Sequence, residues 1–393
     1  MNVQSNCELR VETQRSGPFI FQLGTDLSAL TLAVQRVEDA HERFAASPLS
    51  QVANQLEREV MVRSIFGTNT IEGGALSEEE TEAALHLDPA QVQEIEQRRA
   101  LNIKAAYEHA QQAVGAKGWR LNLNFICEIH AAITHQLPHP HDQPGVFRNN
   151  PKNLTTFVGN EAHGGRYKPP QYGGDIKLLM EKLIEWHDTL EAAGISPLIR
   201  APLVHLYYEL IHPFWDGNGR VGRVLEASLL QAAGYRYAPF AIARYYLDNI
   251  DSYFTLFSAC RKAADKHKPE PNTPFIAFHL EGMRVVINKL HDRVNSLIAM
   301  LLYESNIRRL LDEKGINVRQ YSILSQLLAR GSPISLEEIR QAPWYGSLYL
   351  KRNDKTRQRD LRRLREMDLV FLDYEERLWP GYIRPQQVKS VSK

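Results

Sequence analysis

His212-Pro213-Phe214-Trp215-Asp216-Gly217-Asn218-Gly219-Arg220-Val221-Gly222-Arg223 joins two helical patterns through a turn crowded with reactive side chains. Pro213 lacks an N–H and restricts the residue before it, so the preceding helix ends there and His212 faces a loop. Gly217, Asn218 and Gly219 turn the chain into the next helix, whose first free N–H groups and positive dipole end make an anion cradle. Arg220 and Arg223, three apart, share one face of that helix, where two guanidinium forks can clamp a polyphosphate. Asp216 beside the cradle suits a magnesium ion shared with phosphate oxygens. Histidine as a residue type titrates near neutrality and can take a proton from an attacking hydroxyl as a phosphate anhydride breaks. Taken singly, a helix-terminal histidine is more often satisfied by carbonyls and an aspartate is often only a cap. Their density in one turn favours a phosphoryl- or nucleotidyl-transfer site.

Outward from this turn, apolar residues recur at helical spacing. Leu49, Val52, Leu56, Val60 and Ile65 predict an amphipathic helix that stops near Gly67. Further helical patterns cover about 89–114, 121–135, 175–193, 197–211 and 221–233, and Ser47-Pro48, Ser196-Pro197 and Thr273-Pro274 read as helix starts. The expectation is a mainly α protein with a compact bundle. From Gly145 to Pro170 the habit changes: Phe147, Thr155, Thr156, Phe157 and Val158 mix with Asn, Gly and Pro, which predicts a hairpin or flap. A long helical pattern over 273–314 gives way near Asn317 to a helix (Tyr321 to Ala329), a Ser335-Leu336-Glu337-Glu338 capping box, a basic helix (Lys355 to Met367) and two short strands. That is winged-helix order.

The chain's 393 residues suggest two or three domains, and 43% hydrophobic with 24% charged residues is the composition of a globular protein. A net charge of +1 gives the whole molecule no field that dictates nucleic acid or membrane as partner. Cys7, Cys127 and Cys260, odd in number and far apart, fit neither a disulfide framework nor a zinc site, so a reducing cytoplasm is expected. The polar stretch Met1 to Arg15 and the want of an apolar run near ~18 residues disfavour secretion and membrane insertion.

The twelve-residue turn resembles, at every defining position, the Fic signature His-Pro-Phe-x-Asp/Glu-Gly-Asn-Gly-Arg-x-x-Arg, and the resemblance takes in the flap and bundle over roughly 50 to 265. It implies transfer of AMP from Mg·ATP to a Ser, Thr or Tyr hydroxyl of a protein, possible self-modification included. His212 would be the base and Asp216 the Mg²⁺ ligand. Asn218 and the Gly217 and Gly219 amides would hold the α-phosphate, with Arg220 and Arg223 on the β- and γ-phosphates. Val221 and Gly222 fall in the same nucleotide-binding segment, and Asn249, on the helix after it, sits where related proteins contact nucleotide. Thr68-Asn69-Thr70-Ile71-Glu72-Gly73 resembles the family's inhibitory motif Ser/Thr-x-x-x-Glu-Gly/Asn, with Thr68, Glu72 and Gly73 at its fixed positions. Glu72 would then pair with Arg223 and leave ATP misaligned; a merely solvated or capping carboxylate is the other reading. Gly145, Phe147, Arg148 and Pro169-Pro170 resemble the target-docking hairpin, which would hold a strand of the modified protein by main-chain pairing.

The expected layout is an N-terminal helical region with the inhibitory helix (1–115), a catalytic core (116–270), connecting helices (271–316) and a winged-helix-like domain (317–393). Three alternatives stay open. The same site can remove AMP from a protein, with Glu72 orienting water. The cradle can accept other phosphate donors. The chain can be a nucleotide-sensing regulator whose Lys355, Arg357, Arg359, Arg362, Arg363 and Arg365 meet DNA, although cations at every angle of a helix also simply solvate it. Apolar helix faces would support a homodimer that controls Glu72.

Overall fold

The computed structural model describes residues 7–383, so the extreme ends of the ranges 1–115 and 317–393 lie outside the described residues. It forms two compact units, 1–46 with 53–290 and 47–52 with 291–393, each as far as the description reaches. The ranges 1–115 and 116–270, apart from 47–52, thus share one unit and one core. No helix among the described residues is long and apolar enough to cross a membrane.

The first unit opens with an antiparallel hairpin, β1 (Leu9–Glu12) and β2 (Pro18–Phe21), Leu9 opposite Phe21. Helices follow: α1 (Leu27–Ala45), α2 (Ala53–Ile71), α3 (Glu78–Ala84), α4 (Ile95–Gly115), α5 (Leu123–Thr134), α6 (Gly173–Ala192), α7 (Pro197–Ile211), α8 (Asn218–Ala232), α9 (Ala238–Asp248) and α10 (Ile250–Asp265). Helix α11 (Thr273–Asp312) takes up most of the range expected to hold connecting helices.

Local chemistry sets these boundaries. Ser196 accepts from Leu198 N at 3.3 Å with Pro197 in the first turn of α7, and Asn122 accepts from Phe125 N at 2.9 Å to start α5. Ser47-Pro48 starts only a short turn, Leu49–Gln51, and α2 begins at Ala53. Nor does α2 stop at Gly67. The glycine lies inside the helix, where a β-carbon would stand 3.0 Å from the Ala243 carbonyl carbon of α9. It serves close packing of α2 on α9, and the helix runs on to present Thr68 and Glu72. The pattern expected from Pro89 likewise begins later, at Ile95, after a capping box of Ser77 and Glu80 has started α3.

Fully buried Ile129 of α5, Leu183 of α6, Leu206 of α7 and Leu225 of α8 belong to the core beneath the catalytic turn. Each such burial stabilises by about 1.5–3 kcal/mol. The flap expected over Gly145 to Pro170 is a minimal hairpin. Val158 and Tyr167 exchange two main-chain bonds of 2.9 Å, a short 3-10 turn spans Glu161–His163, and the remainder is loop.

In the second unit come α12 (Val318–Arg330), β3 (Ile334–Ser335), α13 (Leu336–Gln341), α14 (Pro343–Leu348), α15 (Asp354–Glu366), β4 (Val370–Leu372) and β5 (Arg377–Pro380). The strands form one antiparallel sheet in the order β3-β5-β4. Ser335 caps α13 by accepting from Glu338 N at 3.0 Å, but Glu338 does not complete the box: its carboxylate pairs with Arg330 at 2.7 Å.

Candidate active site

Helix α7 delivers His212 at its end in the left-handed region (φ 51°), with its N–H returned to Tyr208 O at 2.8 Å. A residue with a β-carbon resists that conformation by roughly 1–2 kcal/mol, so the surroundings must hold it. Buried Arg148 does so: Nε donates to His212 O at 2.7 Å, its main-chain N–H to Pro213 O at 2.9 Å, and Nη2 to Pro170 O. Burial draws its guanidinium down to about 10, which still leaves it cationic at neutral pH. The sequence reading gave Arg148 to the docking hairpin; its side chain instead faces inward and ties the flap to the catalytic turn.

The His212 side chain is 20% exposed, and Nδ1 lies 3.5 Å from Glu209 Oε2. That is an ion-pair distance. Burial pushes the Glu209 carboxyl up, but His212, His205 and Arg223 outweigh it and hold the group below the usual carboxylate range. Sequence reasoning missed Glu209, though its place one turn before His212 was a usable signal.

The turn that follows closes on itself. Asn218 accepts from Phe214 N at 2.9 Å and donates to Phe214 O at 2.8 Å, so its side chain shapes the loop. Gly217 sits at φ 77°, where a β-carbon would also press on Thr134 at 3.2 Å. His130, another residue that no motif revealed, stacks on Phe214, accepts from Gly145 N at 2.9 Å and donates to Asp216 O at 3.1 Å. It joins the flap's base to the loop that carries Asp216.

Asp216 and Arg220 pair at 2.9 Å, with the aspartate side chain 40% exposed and the arginine buried. Burial pushes the Asp216 carboxyl up, while Arg220 and the Gly217 amide hold it below its ordinary range. No cluster of three or more His, Cys, Asp or Glu donors exists among the described residues. A single ionised, accessible carboxylate fits a magnesium ion that arrives on phosphate oxygens, since that ion commonly takes one or two carboxylates.

Arg223 makes four side-chain hydrogen bonds. Nε donates to Thr68 Oγ1, Nη2 to Thr68 O at 3.3 Å and to Glu72 Oε1 at 2.7 Å, and Nη1 to Tyr253 OH at 3.3 Å. Glu72 follows α2 directly, with Gly73 in the left-handed conformation beside it, and its carboxylate lies against Gly219 so closely that a β-carbon there would clash. The first turn of α8 therefore already faces an anion. The contacts run on inward: Tyr253 OH meets His205 Nε2 at 3.1 Å, His205 Nδ1 meets Glu226 Oε2 at 2.6 Å, and Tyr246 donates to Glu226 Oε1 at 2.7 Å. Burial pushes the Glu226 carboxyl up, yet His279 and His205 overcome this and hold it far below its usual range.

Three remaining sequence candidates lie apart from this surface. Val221 is fully buried. Gly222 is a packing glycine, where a β-carbon would come 2.8 Å from Glu209 and His205. Asn249 is not within a helix but at the α9–α10 junction, where its side-chain amide donates to Tyr245 O at 2.9 Å.

Residues 120–230, which hold the turn from His212 to Arg223, match the sequence model of the Fic/DOC family. Relatives named "Protein adenylyltransferase Fic" come from Drosophila ananassae (26% identical over 237 residues, 59% of this chain and 43% of that protein) and Aedes aegypti (28% over 207 residues, 51% and 38%). The matches thus span less than half of those curated relatives. A Fic family protein from Desulfovibrio desulfuricans has a solved structure that is similar over 91% of this chain and 97% of its own, at 18% identity and a TM-score of 0.55. A Fic-domain signalling protein from Bacteroides thetaiotaomicron, also 18% identical, covers 67% of this chain and 96% of its own at a TM-score of 0.56. At these identities the likeness shows a shared fold.

The buried network yields a pH test. The folded-state pKa of Glu226 is depressed, so its stabilisation is present above the ordinary glutamate value of about 4.3 and is lost as pH falls toward the folded value. Glu226→Gln is expected to cost roughly 3 kcal/mol in urea unfolding at pH 7.5, with the gap to wild type narrowing at lower pH. A gap that is absent at pH 7.5, or that widens on acidification, contradicts this role.

Proposed function

We propose that the protein transfers AMP from Mg·ATP to a hydroxyl of a protein, and that Glu72 restrains the reaction. The carrying observation is the convergence, around one turn, of a base, an ionised carboxylate, a helix N-terminus and two arginines. His212 Nε2 accepts the proton of a Ser, Thr or Tyr hydroxyl while that oxygen bonds to the α-phosphorus. The α–β anhydride bond breaks and pyrophosphate leaves. The free amides at the start of α8 face the charge gathering on the α-phosphate, and Arg220 and Arg223 face the leaving pyrophosphate. Magnesium bound by Asp216 would supply charge neutralisation on the phosphate oxygens.

Restraint follows from competition. Glu72 occupies one branch of the Arg223 fork and lies against Gly219, so a phosphate and this carboxylate exclude one another on both charge and space. Freeing Arg223 requires only the tip of Glu72 to turn away, which its 30% exposed side chain can do without unfolding α2.

A second activity is favoured by one specific observation in the second unit, whose strand order and basic helix we read as a winged helix. At about 100° per residue on α15, Lys355, Arg359, Arg362 and Arg365 fall within about 60° of the direction opposite buried Asp360 and Leu364, with Glu366 among them and Arg363 on the flank. The cations are not spread round the helix, as simple solvation would allow. Arg357 stands apart, paired with Asp354 and stacked over Tyr349. One exposed cationic face on that helix fits duplex DNA.

With α-labelled ATP and Mg²⁺, Glu72→Gly should label protein about tenfold or more above wild type, the worth of one released charged hydrogen bond. His212→Ala in that background should lose about 10²–10⁴-fold. Failure of Glu72→Gly to transfer label overturns the catalytic reading. For DNA, affinity should fall with rising salt and drop at least about tenfold in the Arg359→Glu, Arg362→Glu, Arg363→Glu variant. Salt-independent or unchanged binding removes the second activity.

A further inference from the structure

Between the N-terminal hairpin, the flap and the end of α10 lies a cavity of about 1300 Å³ that the catalytic reading leaves unused. Its charge is lopsided for a chain whose net charge is only +1. Six cations line it, Arg15, Lys152, Arg166, Lys168, Arg261 and Lys268, against two carboxylates, Glu8 and Asp265. Asp265 is already committed to Arg261 at 2.7 Å. Among the described residues Lys152 and Lys168 of the flap and Lys268 after α10 have no acidic partner.

The wall is prearranged. Asp175 accepts from the main-chain N–H groups of Gln14, Arg15 and Ser16 at 2.9, 3.0 and 2.9 Å, and from Ser16 Oγ at 2.8 Å, which fixes the loop that presents Arg15. Arg15 then lies 4.2 Å from the centre of the Tyr172 ring, and Arg261 5.2 Å from that of Tyr167. Cations held in place before binding lose less entropy when a ligand arrives.

The cavity also lies beside flap residue Tyr167, which reaches toward the His212 turn. Tyr167 donates its hydroxyl to Glu209 O at 2.6 Å, and Arg148 bridges Pro170 O to His212 O. Tyr167 directs its own N–H and C=O to Val158, and its neighbours Arg166 and Lys168 line the cavity.

We infer that this cavity recognises an acidic segment of the protein to be modified, a run of Asp and Glu residues adjoining the hydroxyl that receives AMP. Its cations are dispersed around a space far larger than one phosphate and do not converge on a point. That spacing suits carboxylates strung along a peptide. This inference rests on the adenylyltransferase reading only for the identity of the bound protein.

Binding can therefore be tested apart from catalysis. The probe is a fluorescein-labelled peptide of twelve residues rich in Glu, with its Gln counterpart as control, titrated against the full chain by anisotropy. The Glu peptide should bind and the Gln peptide should not. Lys152→Glu, Lys168→Glu, Lys268→Glu should weaken it by at least about tenfold, and the milder triple Lys→Gln variant should fall between. Unchanged thermal unfolding in the Gln variant separates charge from folding damage. Equal binding by wild type and the Glu variant, equal binding of both peptides, or displacement by millimolar inorganic phosphate would overturn the inference. Peptide binding that survives while Glu72→Gly labels nothing would instead count against the catalytic reading alone.

Discussion

A buried arginine must have its charge answered, and in this fold the answer to Arg223 is supplied by the end of α2. The guanidinium is only 2% exposed, and leaving it alone there would cost several kcal/mol. Thr68, Glu72 and Tyr253 surround it, and Tyr253 hands the constraint on through His205 to Glu226. The buried polar network of the first unit and the position of the candidate inhibitory carboxylate thus answer one charge. Any anion that displaces Glu72 must satisfy the same guanidinium, and a terminal phosphate is chemically suited to do so.

Arg148 provides the corresponding constraint on the other side of the turn. It has few freedoms, being buried and bonded to three backbone carbonyls around His212, and it makes the left-handed conformation of that residue tolerable. With His130 spanning Gly145 and Asp216, it couples the flap to the reacting loop, so the flap is anchored at the base and loosely paired beyond it. A loosely paired edge next to a cationic cavity is a reasonable arrangement for meeting a flexible protein segment.

Much of this was legible in the sequence because it is local. The helix end at Pro213, the Gly217–Gly219 turn, the cap of α7 at Ser196 and the strand–turn–strand after the basic helix all follow from neighbouring residues. The Thr68 to Gly73 resemblance also led to Arg223, where the structure does bring Glu72. What escaped was non-local. Gly67 reads as a stop because its partner, the backbone of α9, lies far along the chain. The same holds for His130 and for the set of His205, Glu226, Tyr253 and His279, which no spacing rule connects. Arg148 was visible as a residue but not as an inward one, and the one-sided placement of cations on α15 needed the buried positions of Asp360 and Leu364 to become apparent.

Competition between Glu72 and a terminal phosphate for Arg223 is most directly measured by calorimetric affinities of ATP and ADP for wild type and Glu72→Gly, with Mg²⁺ present. If the two anions share one fork, the substitution should tighten ATP by about tenfold, the worth of roughly one charged hydrogen bond, and leave ADP nearly unchanged. Equal tightening of both nucleotides, or of neither, would contradict the placement of the γ-phosphate on Arg223 and with it the proposed restraint.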